Sequence, residues 1–199
     1  MSEREDEIKE LAKAAEQKKE TLETVARMLE NGTRRNRQNA AAIFAVIAKD
    51  KPELVVPYID LLVDSLNQPE AQTRWESLDA LTEMIAIESR LCDKAVPGAE
   101  ASLFDEDNGP VRLSAMRFLC RLGATTPNRS LKVWPLIDEG IQCYHGDLEF
   151  SDMLIAINEF SMGKLDKSVK DALKERLSFD ATSGKGSMKR KAQQIIANL

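Results

Sequence analysis

His145 is the chain's single histidine, and that restricts the available chemistry at once. A Ser-His-Asp or Cys-His nucleophilic site needs an imidazole base, so any such site would have to be built around His145. Set in a His-Gly-Asp turn, it reads instead as a residue that satisfies a helix end. Cys92, Cys120 and Cys143 stand 28 and 23 residues apart, with no CxxC and no histidine pairing, so they read as reduced, buried thiols and not as metal ligands. Ser183-Gly184-Lys185-Gly186-Ser187 has the look of a phosphate loop. It lacks the GxxxxGK[ST] spacing and no strand precedes it, so a flexible turn is the reading. No catalytic residue, metal ligand or cofactor motif is assigned.

What remains is recognition chemistry. Trp75, Asp79 and Glu83 follow one another a helical turn apart, as do Arg117 and Arg121. An acidic stretch with a large aromatic, next to a basic stretch, suits a partner surface, because Trp and Arg are over-represented where binding energy concentrates. The plainer reading pairs Asp79 with Arg117 and Glu83 with Arg121 on a solvated surface, where such pairs contribute at most about 1 kcal/mol. The two readings can coexist. Trp75 also fits a core position one register step away, and Trp134, just before Pro135, reads as a packing residue.

A nucleic-acid surface would draw on Arg34, Arg35 and Arg37 and on Lys185, Lys189, Arg190 and Lys191. A formal charge of −5 argues against both nucleic acid and anionic membranes, which require a strong positive field. At 199 residues, 43% apolar and 31% charged, the chain suits one folded domain covering 1–199. No apolar run approaches the ~20 residues that span a bilayer, and the acidic start is neither a secretory nor a transit signal. The expectation is a cytoplasmic protein, monomeric, with no membrane partner.

These residues lie on a repeating pattern of about 38 residues. Arg37, Arg74 and Arg112 each open a helix with a small residue three positions on and apolar residues six, seven and ten positions on. Ala40, Ile43, Phe44 and Ile47 fill the first copy, and Ala115, Phe118, Leu119 and Leu122 the third. Lys189 opens a last copy, and Met153 replaces the arginine in an irregular fourth. A second helix type alternates with these, marked by Pro57, Pro97 and Pro135 and by apolar residues every four positions. Proline belongs in a first helical turn, where the N–H it lacks has no partner. The predicted repeats run over about 1–49, 50–88, 89–124, 125–163 and 164–199, with 1–30 as capping helices, one long or two short with a break near Lys18.

The early proline of the first helix, the Asp or Asn that ends it and the Arg that starts the second resemble the HEAT-repeat family over nearly the whole chain. The resemblance implies an all-α fold, a right-handed α-α superhelix of about five antiparallel helix pairs. It also implies that an inter-helix acid and the following arginine tie neighbouring repeats together. Asp105 with Arg112 fits best; Arg37 and Arg74 follow Glu30 and Asn67 at the same seven-residue spacing. It places second helices on the concave side, so that Trp75, Asp79, Glu83, Arg117, Arg121 and Asn158, with Ala42 and Val46, line it. The function that follows is a non-enzymatic adaptor or scaffold holding a protein or peptide on that face. The alternative is a HEAT-like DNA-binding or DNA alkylation repair enzyme.

Overall fold

The computed structural model describes residues 3–199, and among them there is no strand. The chain forms two compact units, Met1–Ser102 and Leu103–Leu199. The first holds α1 (Glu3–Gln17), α2 (Lys19–Asn31), α3 (Arg34–Asp50), α4 (Ile59–Ser65) and α5 (Ala71–Cys92), and closes on α6 (Val96–Leu103). The second holds α7 (Gly109–Gly123), α8 (Pro127–Cys143), α9 (Phe150–Ser161), α10 (Lys167–Ser183) and α11 (Gly186–Ala197).

Local chemistry sets most of the ends. Thr33, Thr126 and Asp166 cap α3, α8 and α10 by accepting the backbone N–H of Asn36, Arg129 and Ser168. Lys18 is extended at φ −136°, ψ 115°, so the N-terminal segment is two helices. The first helix of the second repeat, marked in the sequence by Pro57, is broken up. Pro52–Leu54 and Val56–Tyr58 are single 3₁₀ turns and the α-helix begins only at Ile59, because neither proline has an N–H to donate. Pro135 is not in a first turn but inside α8, since Thr126 and Pro127 start that helix two turns earlier. At Glu88 the backbone leaves helical angles (φ −142°, ψ 56°) within α5, where the second helix of that pair was expected to stop.

Each unit has its own core. In the first, Ile43, Phe44 and Ile47 of α3 and Leu78, Leu81 and Met84 of α5 are fully buried with Leu62. Ala40, Ala41, Ala42, Ala45 and Ala48 make α3 a narrow helix that neighbours approach closely. One of those neighbours is α1. Arg4 Nη2 donates to Asn39 Oδ1 at 3.0 Å near the start of both helices, and Lys51 Nζ donates to Glu16 at 2.7 Å near their ends. Helix α1 therefore runs parallel to α3 and extends the row of second helices by one, burying Ile8, Ala12 and Ala15. In the second unit, Phe118, Leu119, Val133, Ile137, Phe150 and Phe160 are buried. There α8 and α10 run parallel, joined by the Arg176 guanidinium on both oxygens of Asp138 at 2.6 and 2.8 Å. So do α9 and α11, joined by Lys191 to Ser151 Oγ at 2.7 Å and Asn198 to Asn158 Oδ1 at 3.1 Å.

Candidate functional site

Gln72, Trp75 and Glu76 lie on one face of α5, since positions three and four apart are helical neighbours. Ala42 and Val46 present the same face of α3, and Arg4, Glu5, Ile8 and Lys9 that of α1. Together these residues line a cleft of about 350 Å³ on the second-helix side of the first unit. Its floor is apolar: Ile8 and Ala42 are each 7% exposed, with half-buried Val46 and Trp75 beside them. Its polar wall is a chain of hydrogen bonds. Arg4 Nη2 donates to Gln72 Oε1 at 3.2 Å, which turns the Gln72 amide so that Nε2 faces Glu76 Oε1 at 3.5 Å.

Glu76 is the electrostatically unusual group of this cleft. Burial foremost, then the Asp79 carboxylate one turn away, push it above the usual glutamate range; Gln72, Trp75 and Lys49 act the other way without reversing it. No cation among the described residues forms an ion pair with it.

Of the residues singled out by spacing, Trp75, Ala42 and Val46 line the cleft. Asp79 and Glu83 continue along α5 from it, both half-buried. Arg117, exposed, and Arg121, half-buried, are on α7 of the second unit, and Asn158 on α9 is bonded to Asn198. The sequence counts Glu76 with Asp79 and Glu83 as acidic charge on this face without singling it out as a site residue, and spacing missed Arg4 and Ile8. Their membership depends on α1 occupying the second-helix row.

Two of the leading arginines, Arg37 and Arg112, use an acid other than the inter-helix one. Arg37 donates from Nε and Nη2 to the buried Glu70 carboxylate, and Arg112 donates likewise to Glu149. Glu70 and Glu149 are the residues that open α5 and α9. The contact with the preceding loop goes to backbone oxygens: Arg37 Nη1 to Gly32 at 2.8 Å and Arg112 Nη1 to Asp105 at 2.9 Å. Arg112 also stacks over the Tyr144 ring at 4.8 Å.

His145 joins the turn after α8 to α10, its Nε2 being 3.0 Å from Oδ1 of the buried Asp180. Cys92 and Cys120 are buried, and burial, with Glu159 adding to it, pushes the Cys120 thiol far up. Cys143, expected to be buried with them, is exposed on the last turn of α8. Among the described residues no three His, Cys, Asp or Glu side chains gather as a metal site would need, and no helix is long and apolar enough to cross a membrane.

Helix pairs with this order and packing define the armadillo/HEAT kind of repeat fold. Solved structures share it over nearly the whole chain. An engineered protein matches at TM-score 0.74 and 16% identity, covering 100% of this chain and 98% of that one. A designed armadillo repeat protein in complex with the peptide (KR)4 matches at TM-score 0.74 and 14% identity, covering 96% and 90%. An archaeal HEAT-like repeats protein from Thermococcus onnurineus NA1 matches at TM-score 0.56 and 14% identity, covering 96% and 91%. At these identities the likeness is one of fold. No protein-family model and no curated protein matches the chain.

Proposed function

We propose that the protein is a non-enzymatic binding module that holds an extended segment of a protein partner along its second-helix side. The α1–α3–α5 cleft receives one side chain of that segment, with Trp75 as its anchor. The observation that carries this reading is the cleft itself: a concave, apolar-floored site with one amphipathic aromatic and a few placed polar groups has the makeup of a ligand pocket. Asp79 and Glu83 extend the surface on α5; within the second unit, Arg117, Arg121 and Asn158 are proposed as binding residues of that unit's own second helices. Arg37, Arg74, Arg112 and Asp105 serve as ties between repeats. The fold is in keeping with this, since solved structures that share it include designed armadillo proteins made for modular peptide recognition. A monomer in the cytoplasm is the setting proposed. The DNA-acting alternative gains nothing from the cleft, where Glu5 and Glu76 offset Arg4 and Lys9 and no positive field results.

The test is selection of displayed random octapeptides on the intact protein, followed by fluorescence anisotropy with the enriched sequences. Trp75→Ala is expected to lower affinity at least tenfold with an unchanged far-UV circular dichroism spectrum. Failure to enrich any peptide, or binding indifferent to Trp75→Ala, would overturn the proposal.

A further inference from the structure

The charged groups lining the cleft are not equally engaged. Arg4 is hydrogen-bonded to the neutral amides of Asn39 and Gln72, and Glu5 and Lys9 have interactions of their own. Glu76 has a long contact from Gln72, a hydrogen bond from Trp75 and the charge of Lys49 in its surroundings, but no ion pair among the described residues. A carboxylate in that position is partly stripped of water with no directly paired counter-charge, and Lys49 does not offset the burial, a condition that costs free energy. What would relieve it is a cation delivered on an apolar stem, because the approach to Glu76 passes over Ile8, Val46 and Trp75. Lysine and arginine side chains have that build: a greasy stem that packs and a charged head that keeps polar company. The indole of Trp75 would also favour a cation lying against its face.

We infer that the cleft takes a lysine or arginine side chain of the bound segment, its stem on Ile8, Val46 and Trp75 and its head against the Glu76 carboxylate. This rests on the binding reading above and adds the chemistry of what is bound. An acidic residue in the same place would meet Glu76, and Asp79 behind it. A plain aliphatic residue would fill the floor and leave Glu76 desolvated. The position of Glu76 above the usual glutamate range adds a signature. A cation bound beside it favours the carboxylate, so binding releases a proton, and affinity rises as the pH climbs through the range in which free Glu76 ionises. The groups facing Glu76 are Asp79 on α5, Lys49 on α3, and Arg4, Glu5 and Lys9 on α1. A bound cation changes the environment of Glu76 first.

The experiment takes the strongest octapeptide from the display selection and remakes it with lysine, arginine, norleucine or glutamate at its central anchoring position. Affinities are measured by anisotropy from pH 4 to pH 8 with the intact protein, Glu76→Gln and Trp75→Ala. The lysine and arginine peptides are expected to bind at least tenfold more tightly than the norleucine and glutamate peptides at pH 7. Glu76→Gln should erase that preference, and the pH dependence with it, while norleucine binding persists. A preference that survives Glu76→Gln overturns the inference, as does equal binding of lysine and norleucine peptides. If the peptides bind equally yet all lose affinity in Trp75→Ala, the cleft reading stands and the cation reading falls; if no peptide binds, both fall.

Discussion

Arg112 Nε donates to Oε1 of Glu149 at 2.6 Å across 37 residues of sequence, fastening the arginine that leads α7 to the residue that opens α9. Both side chains are largely buried, at 12% and 13% exposure, and the Tyr144 ring closes over the guanidinium. Removing one partner of a buried pair strands the charge of the other. Arg112→Ala is therefore expected to cost about 2–3 kcal/mol, read as a lower urea midpoint. Arg112→Lys should recover only part, because an ammonium cannot serve Glu149, the Asp105 carbonyl and the Glu106 carbonyl from one planar fork.

Two glycines separate packing from flexibility. A Cβ at Gly123 would lie 2.4 Å from Val133 Cγ2 and 2.8 Å from Phe160 Cε2, both in the buried core of the second unit. Gly123→Ala is expected to destabilise by about 1–3 kcal/mol, as overpacking of a dense core does. At Gly140 the nearest atom is Met116 Cε at 2.7 Å, the free end of a flexible chain. Gly140→Ala should cost clearly less, and equilibrium denaturation of the two variants side by side checks the order.

The helices and their register were legible because an arginine followed by a small residue and three apolar ones recurs at Arg37, Arg74 and Arg112 with little drift. The acid partners of Arg37 and Arg112 were not. Glu70 lies 33 residues beyond Arg37, and Glu149 lies 37 beyond Arg112; loops of unequal length break any fixed spacing. Trp75 and its row were legible as a helical face. The cleft they line was not, since its third wall is α1, whose Ile8, Ala12 and Ala15 show a buried stripe but not which helix buries it. Glu76 was legible as acidic charge beside Asp79 and Glu83; the burial that sets it apart from them was not.

Helix α1 should be separable from the rest of the first unit. Its buried side chains are small or few, and its ends are held by the Arg4–Asn39 and Lys51–Glu16 contacts. Ile8→Ala removes the largest of its buried apolar residues and is expected to cost about 2 kcal/mol locally. Because such openings can occur below the global barrier, amide hydrogen exchange should accelerate in residues 4–17 before it does in α3 or α5.

Glu70 and Glu76 sit within the first turns of the same second helix and should respond to acid in opposite senses. Burial alone would raise Glu70, but its hydrogen bonds with Arg37, its own backbone N–H and the charges of Arg37 and Arg34 hold it below the usual range. A carboxyl lowered in the fold stabilises above its unfolded pKa, and that stability is lost as the pH falls through the folded value. Glu76 is raised in the fold, so the native state holds its proton more tightly than the unfolded chain does, and stability falls as the pH rises through the glutamate range. Glu70→Gln is therefore expected to melt below the unsubstituted protein at pH 7, with the gap closing on acidification. Glu76→Gln, free of the desolvated charge, should melt above it at pH 7 and converge with it near pH 4. Thermal melts of both variants from pH 4 to pH 8 measure this directly. Curves of the same sign for the two would mean that Glu76 finds its counter-charge inside the folded chain, and the cleft would then have no charge left to offer a partner.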